Sequence, residues 1–207
     1  MKILQLAAMT AVLFSGLANA DGGPPQYVQN YAFTAQNECL IGTQTVTDWN
    51  VVTGNVNIYD VNCNNGMDSP FPGLGLLFYA DLAGHYAGSG EYKRGTLSQT
   101  MTKMDTGQVI LEFSYGGNPQ WQIPGNTLPN DGPVKAMAVY LNDVLVGVYS
   151  VDTSKASSIT DAQWQSVMIY TTLTKGTNTI TFRSLNGLPE HPTDFGMLVT
   201  TVEIVPG

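Results

Sequence analysis

Two apolar runs joined by a short polar turn form the most regular part of the chain, residues 134–152. Residues 139–141 (VYL) lead into Asn142-Asp143, and a run of valine, leucine and tyrosine follows. β-branched and aromatic residues favour strands, and Asn and Asp tolerate the left-handed backbone of a two-residue hairpin. Because the second run is apolar on both faces, the pattern predicts a hairpin in the centre of a sheet that a second sheet covers.

Alternation of apolar and polar positions recurs along most of the chain, and it is clearest at residues 108–115. Trp49 and Trp164 lie within such runs, so we expect both in the core. Further strands are predicted at residues 28–34, 45–52, 55–61, 76–82, 95–101, 163–173, 178–185 and 195–205. About ten short strands without a helical period predict one all-β domain, an antiparallel β-sandwich of the jelly-roll type.

Residues 1–20 depart from this pattern. Lys2 precedes an apolar run that ends in Ala18-Asn19-Ala20, which is typical of a secretory signal peptide with a small-x-small cleavage site. The run is short for a membrane span, and no later segment reaches that length. We therefore expect a signal peptide at residues 1–20, a single domain at residues 21–207, no membrane insertion, and a secreted protein that is extracellular or periplasmic.

Charge limits the range of partners. Charged residues make up 12% of the chain, and the formal net charge is −8 at pH 7. An acidic surface repels phosphate groups, so we expect neither nucleic acid nor anionic lipid as a partner. The same repulsion disfavours a strongly acidic polysaccharide. Composition leaves the oligomeric state open.

The two cysteines are Cys39 and Cys63. An even number of cysteines in an exported protein favours a disulfide. In the chain-entropy treatment, closing this short loop contributes on the order of 3 kcal/mol to stability. Two free thiols or an intermolecular bridge are the alternatives. With no histidine beside them, the two cysteines do not favour a metal site.

Short motifs also follow one another in a recognisable order. In this chain they are NYAFT at residues 30–34, WNVVTGNVN at 49–57, GTLSQT at 95–100, residues 107–113, Asn118-Pro119, Asp152-Thr153, Trp164 and residues 196–204. The order resembles that of the secreted "choice-of-anchor C" family. It also resembles related plant cell-wall proteins whose domain of unknown function has a galactose-binding-like fold. The resemblance implies that fold.

In many galactose-binding-like modules, acidic residues at the two ends of the domain help to hold a structural Ca²⁺. This chain has Thr34 and Thr200-Thr201 at the matching positions. Ca²⁺ prefers several oxygen ligands that usually include carboxylates, so we expect no cofactor and no metal. Bacterial relatives often carry a surface anchor after the domain. No such segment follows residue 205 here, so we expect a released protein.

Residues 116–132 (GGNPQWQIPGNTLPNDG) form the longest predicted loop and contain Trp121. An exposed tryptophan on a structured loop is a suitable platform for a sugar ring, which stacks on the aromatic plane. The neighbouring side chains of Asn118, Gln120 and Gln122 could bind sugar hydroxyls. Alternatively, Trp121 folds back and covers the end of the sandwich.

Residues 83–93 form a second, glycine-rich loop with aromatic and polar side chains. His85, Tyr86, Tyr92 and Arg94 are candidates for ligand binding there. The alternative is that they are ordinary loop residues. The sequence leaves open whether this loop meets the Trp121 loop.

Signals for catalysis are weak. The chain has two histidines, His85 and His191, and contains neither a Gly-x-Ser-x-Gly nor a His-Glu-x-x-His motif. We therefore predict a secreted, non-catalytic module that binds a polysaccharide or another cell-surface glycan. One alternative is a structural or adhesive protein that binds protein partners or itself through apolar loop residues such as Phe71, Leu74 and Ile123. The other is a glycan hydrolase with two dispersed carboxylates.

Overall fold

A computed structural model describes residues 27–36, 38–60, 78–85, 92–122, 132–186 and 195–207. These residues form an antiparallel β-sandwich with almost no helix, which confirms the predicted fold class. The strands are β1 Leu40–Thr43, β2 Thr45–Val46, β3 Trp49–Thr53, β4 Val56–Tyr59, β5 Tyr79–Asp81, β6 Ala83–His85, β7 Tyr92–Arg94, β8 Thr96–Lys103, β9 Gly107–Gly117, β10 Val134–Leu141, β11 Val144–Asp152, β12 Gln165–Leu173, β13 Gly176–Ser184 and β14 Met197–Pro206. Three short 3₁₀ turns complete the elements: Thr34–Gln36, Gln120–Gln122 and Thr153–Lys155.

Two six-stranded sheets face each other. Sheet A has the strand order β1-β4-β5-β14-β9-β12, and sheet B has the order β11-β10-β13-β8-β3-β2. Strands β6 and β7 form a separate small hairpin. Within the described ranges, no helix is long and apolar enough to cross a bilayer.

Aromatic residues of both sheets meet in the core. Phe113 of sheet A packs edge-on against Phe182 of sheet B, with ring centroids 5.4 Å apart. Trp49 lies 6.2 Å from Phe182 and is 4% exposed, which confirms its predicted core position. Burying an aromatic side chain of this size contributes about 2–3 kcal/mol. The apolar faces of the two sheets therefore hold the sandwich together.

A second, smaller cluster lies on the outer face of sheet A. Its members are Tyr59, Tyr79, Ala162, Leu198 and the partly buried Trp164. The segment after the Thr153–Lys155 turn crosses the sheet here, and Gly117 N donates to Ala162 O at 2.9 Å. Trp164 thus packs on the outer face of sheet A and not in the main core. The alternation of residues predicts that Trp164 is buried, but it does not indicate which face of the sheet buries it.

The hairpin at residues 134–152 forms with the turn that the sequence predicts. Asn142 and Asp143 have φ values of 51° and 63°. Strand β10 lies inside sheet B, but β11 is its edge strand, and Val144 and Val148 are 68% and 57% exposed. The prediction that the whole hairpin is central is therefore wrong. Apolar residues on both faces are typical of a central strand. They do not determine whether a further strand pairs with β11, and in the described order of sheet B none does.

Residues 28–34 are not a strand. Asn30 and Phe33 adopt left-handed backbone, with φ values of 46° and 55°. The side-chain oxygen of Asn30 accepts a hydrogen bond from Ala35 N at 3.0 Å, and its carbonyl accepts one from Phe33 N at 3.0 Å. Val28 and Phe33 are buried all the same. The alternation therefore indicated burial correctly, whereas the Asn30 turn replaces the strand.

A second departure is at residues 45–52, which form β2 and β3 with a turn between them. Asp48 in this turn has a φ of 64°. The sequence also gave no signal for β1 or for the β6–β7 hairpin. The predicted signal peptide, residues 1–20, lies outside the described residues, as do Phe71, Leu74, Ile123 and His191.

Cys39 comes directly before β1. Its Sγ lies 4.0 Å from Oδ1 of Asp60, which follows β4. Because Cys63 lies outside the described residues, the Cys39–Cys63 disulfide stays a prediction. Cys63 is nevertheless only a few residues from Asp60 in the sequence.

We expect that neither Cys39 nor Cys63 of the exported protein reacts with iodoacetamide under denaturing, non-reducing conditions, and that both react after reduction. Mass spectrometry measures this directly. The Cys39→Ala/Cys63→Ala variant should lose about 3 kcal/mol of unfolding free energy in urea titrations, since the loop is no longer closed in the unfolded state. Alkylation of both thiols before reduction would contradict the prediction.

Candidate ligand-binding site

Asp81 ends β5, and its carboxylate is completely buried. Its Oδ1 accepts hydrogen bonds from Ala83 N at 2.9 Å and from Gly196 N at 3.1 Å. Its Oδ2 accepts one from Asn118 Nδ2 at 2.8 Å. The carboxylate therefore joins the β5–β6 corner, the segment before β14 and the segment after β9. We call this end of the sandwich the loop end.

Burial raises the pKa of Asp81 to about 7, because it penalises the charged form. The hydrogen bonds and the positive charge of Lys135 act in the opposite direction. Lys135 lies in β10 of sheet B and is itself completely buried. A Cβ at Gly117 of sheet A would lie only 3.2 Å from Lys135 Cγ and 2.5 Å from Thr153 Cγ2, so glycine lets the two sheets approach here.

Asn118 connects this carboxylate to the Trp121 loop. Its backbone N donates to Gly196 O at 3.0 Å, and its side-chain oxygen accepts a hydrogen bond from Gln120 N at 3.0 Å. Gln122 Nε2 donates to Thr153 O at 2.6 Å. These bonds hold both ends of the 3₁₀ turn Gln120–Gln122, whose middle residue is Trp121.

The β6–β7 hairpin attaches to the same end. Arg94 is the Cα partner of Ala83, and His85 is the Cα partner of Tyr92. Gly95 N donates to Leu82 O at 2.7 Å. Arg94 is partly buried, and its Nε is enclosed without a hydrogen-bond partner among the described residues. Ala83 therefore links the second candidate loop to Asp81, and both candidate loops are anchored at the loop end.

Among the predicted contact residues, Asn118 and Gln120 are 3% and 7% exposed. The amide of Asn118 is engaged with Asp81 and with the backbone of Gln120, so its visible role is to support the loop. Hydroxyl binding by these residues stays a prediction. Outside the described residues lie Tyr86 and the side chains of His85, Tyr92 and Trp121.

Sequence reasoning missed Asp81 and Lys135. Each is a single charged residue within an apolar run, LLFYADL at residues 76–82 and VKAMAVYL at residues 134–141. Asp and Lys are almost never fully buried unless they are paired or hydrogen-bonded. A single charged residue within a strongly apolar strand was therefore the sequence feature that could have identified Asp81 and Lys135 as buried, hydrogen-bonded or paired groups.

Two acidic residues lie opposite each other on the outer face of sheet A. Glu112 and Glu203 are Cα partners on β9 and β14. Burial raises the pKa of Glu112, and burial together with the charge of Glu112 raises the pKa of Glu203. No group of three His, Cys, Asp or Glu side chains in the described ranges is arranged to hold a metal ion.

The positions that the resemblance connects with calcium carry hydroxyls. Thr34 is exposed, and Thr200 Oγ1 donates to Phe78 O at 2.6 Å. Thr201 is 5% exposed with a φ of 48°, and its Oγ1 has no hydrogen-bond partner among the described residues. These side chains do not fit the carboxylate-rich ligand set that Ca²⁺ prefers. The expectation of no calcium stays a prediction.

Comparisons with known proteins give distant similarities. No family model matches the chain, and no curated protein matches it. The "choice-of-anchor C" resemblance therefore stays a prediction.

Among solved structures, a family 35 carbohydrate-binding module from Clostridium thermocellum is 15% identical with a TM-score of 0.40. The match covers 82% of this chain and 99% of that one. A CBM35 from Paenibacillus barcinonensis is 13% identical with a TM-score of 0.36, and the match covers 72% of this chain and 98% of that one. An arabinose-bound GH51 α-L-arabinofuranosidase is 12% identical with a TM-score of 0.47, over 90% of this chain and 27% of that one. At these identities and TM-scores, no family or activity follows for this chain.

The buried Asp81 predicts a pH-dependent stability. Its folded pKa lies above its unfolded value, so the folded state keeps the proton longer. Asp81 therefore favours folding at acidic pH, and this contribution is lost as the pH rises from about 4 through about 7, at about 1.4 kcal/mol for each pKa unit. In urea titrations between pH 4 and pH 8, Asp81→Asn should lack this component.

Asp152→Asn is the matched control. Hydrogen bonds from Ser154 lower the pKa of the exposed Asp152, so its contribution to stability is lost as the pH falls, which is the opposite sign. If Asp81→Asn follows the same pH profile as the wild type, Asp81 does not titrate as described.

Proposed function

We propose that the protein is a secreted, non-catalytic module that binds carbohydrate at the loop end of the sandwich. The observation that carries the proposal is the anchoring of both candidate loops to the carboxylate of Asp81. The sequence indicated these two loops separately, because each combines aromatic and hydrogen-bonding residues. Their common attachment makes one composite site the simplest interpretation.

The chemistry of the two loops suits a sugar. Trp121 supplies a flat apolar surface on which the C–H face of a pyranose can stack. Arg94 supplies N–H donors, and its enclosed Nε has no hydrogen-bond partner among the described residues. Because this Nε is not accessible to solvent, a ligand hydroxyl would bind the terminal amino groups of the Arg94 guanidinium, which are the proposed donors of the site.

Charge favours a neutral ligand. The chain carries a formal net charge of −8, which repels an acidic polysaccharide over most of the surface. We therefore propose a neutral polysaccharide or a neutral cell-surface glycan as the ligand class.

The network below the loops supports binding by preorganisation. The turn Gln120–Gln122 is held by Asn118 and by the bond from Gln122 to Thr153 O. A loop that is already ordered loses less conformational entropy when a ligand binds. In the proposed site, buried residues such as Asn118 therefore order the loop before the ligand binds.

We expect wild-type protein to be retained on one or more neutral polysaccharides in an immobilised panel, both with Ca²⁺ and with EDTA. Trp121→Ala should weaken binding at least about tenfold, which corresponds to about 1.4 kcal/mol. Arg94→Gln should also weaken it, since the charged donors are lost. Affinity electrophoresis and calorimetry measure both effects.

Met104→Ala is the control variant. Met104 is 77% exposed in the turn between β8 and β9, at the opposite end of the sandwich, so its truncation should leave binding unchanged. Absence of retention across the panel, or equal losses in the Met104 and Trp121 variants, would refute the proposed site. Turnover of a retained glycan would instead favour a hydrolase.

A further inference from the structure

Strand β12, Gln165–Leu173, is an edge strand of sheet A. It pairs with β9 without interruption from Gln165 opposite Tyr115 to Leu173 opposite Gly107. On its other side it pairs with no strand in the part of the chain that the structure describes. An edge strand presents unpaired N–H and C=O groups, which are a template for another strand.

β12 lacks the features that usually protect an edge. Its sequence, QSVMIYTTL, contains no charged residue, no proline and no glycine. The other edge strands differ: β1 has four residues, β2 has two, and β11 has a register shift that leaves Val146 without a partner. Short strands and bulges hinder edge-to-edge pairing. β12 is therefore the most suitable edge for a partner strand.

The outer face of β12 is apolar and accessible. Tyr170 is 76% exposed and Met168 is 44% exposed. On the inner face, Val167 and Ile169 are partly buried against the core. The strand is thus fixed by the core, while none of the described strands covers its edge and its outer face is exposed among the described residues.

The sequence of β12 is nearly symmetric about Ile169. On either side of it lie one bulky apolar residue, one β-branched residue and one hydroxyl residue: Met168, Val167 and Ser166 before it, and Tyr170, Thr171 and Thr172 after it. A twofold interface requires such a self-complementary surface.

We propose that two copies of the chain form a dimer by antiparallel pairing of β12 with β12 of the second copy, around a twofold axis at Ile169. Met168 then lies opposite Tyr170 of the second copy, a sulfur–aromatic contact. Ser166 lies opposite Thr172 of the second copy. The two A sheets join into one continuous sheet, and the two loop ends point in opposite directions.

Charge also favours this edge for a copy of the same acidic chain. Glu112, opposite Met168, is the only charged residue on β9, the neighbouring strand. In the dimer, the Glu112 residues are separated by three strand spacings, about 14 Å across the sheet, and by a further offset of about 7 Å along the strands. This exceeds the Debye length of about 8 Å at physiological salt. Two copies that each carry a net charge of −8 can therefore approach along β12 with little repulsion.

Analytical ultracentrifugation of the wild-type protein over a range of concentrations should show a monomer–dimer equilibrium. In the variant Met168→Lys/Tyr170→Lys, each new lysine faces a lysine of the second copy, so the dimer dissociation constant should rise at least about tenfold. The dissociation constant of Met168→Glu/Tyr170→Glu should rise at least as much, because glutamates then face each other. An equimolar mixture of the Lys and Glu variants should restore the dimer, because opposite charges then face each other.

Val144→Lys/Val148→Lys is the matched control. It places two lysines at exposed positions of the other long edge strand, β11, and should leave the dimer intact. Circular dichroism and thermal unfolding verify that every variant folds. A wild type that is monomeric at the highest attainable concentration overturns the proposal. The proposal is also overturned if Met168→Lys/Tyr170→Lys dimerises as the wild type does, or if Val144→Lys/Val148→Lys dissociates the dimer. Glycan retention by the monomeric variant separates this proposal from that of the binding site.

Discussion

Hydrogen bonding to the buried carboxylate of Asp81 determines how the loop end is built. Its three donors come from residues 83, 118 and 196, which are far apart in sequence. An apolar residue at this position would leave Ala83 N and Gly196 N unpaired in the interior. The free-energy cost of each buried, unpaired group exceeds the net stabilisation from a hydrogen bond at the surface. A buried carboxylate without these donors would be equally unfavourable. The carboxylate and its donors therefore depend on each other.

Much of the fold follows from local patterns. Strand β9 contains the clearest alternation, and β10 and β11 meet at the Asn142-Asp143 turn that the residue types require. In these places the side-chain period and the turn chemistry both act over a few residues, so the sequence is sufficient. Trp49 likewise lies in the core because its strand has one apolar face.

The remaining features depend on contacts between distant residues. Alternation at residues 28–34 reports the burial of Val28 and Phe33, but the Asn30 side chain selects a turn. β11 is the terminal strand in the described order of sheet B, and no local pattern indicates which strand of a hairpin takes the edge position. The Trp121 and Arg94 loops lie at one end because of the strand order, which no local pattern specifies. Asp81 could be noticed as a charge in an apolar run, whereas its partner Gly196 could not.

The position of β14 affects how the protein is assembled during synthesis. This strand lies between β5 and β9, although it comes last along the described chain. Before it emerges from the ribosome, sheet A can exist only as two separate pieces, β1-β4-β5 and β9-β12. The earliest described residues also depend on it, since Tyr27 N donates to Ile204 O and Val202 N donates to Tyr31 O. Such non-local closure is slow. A nascent chain therefore exposes the inner edges of β5 and β9 to chaperones and to other chains until β14 arrives.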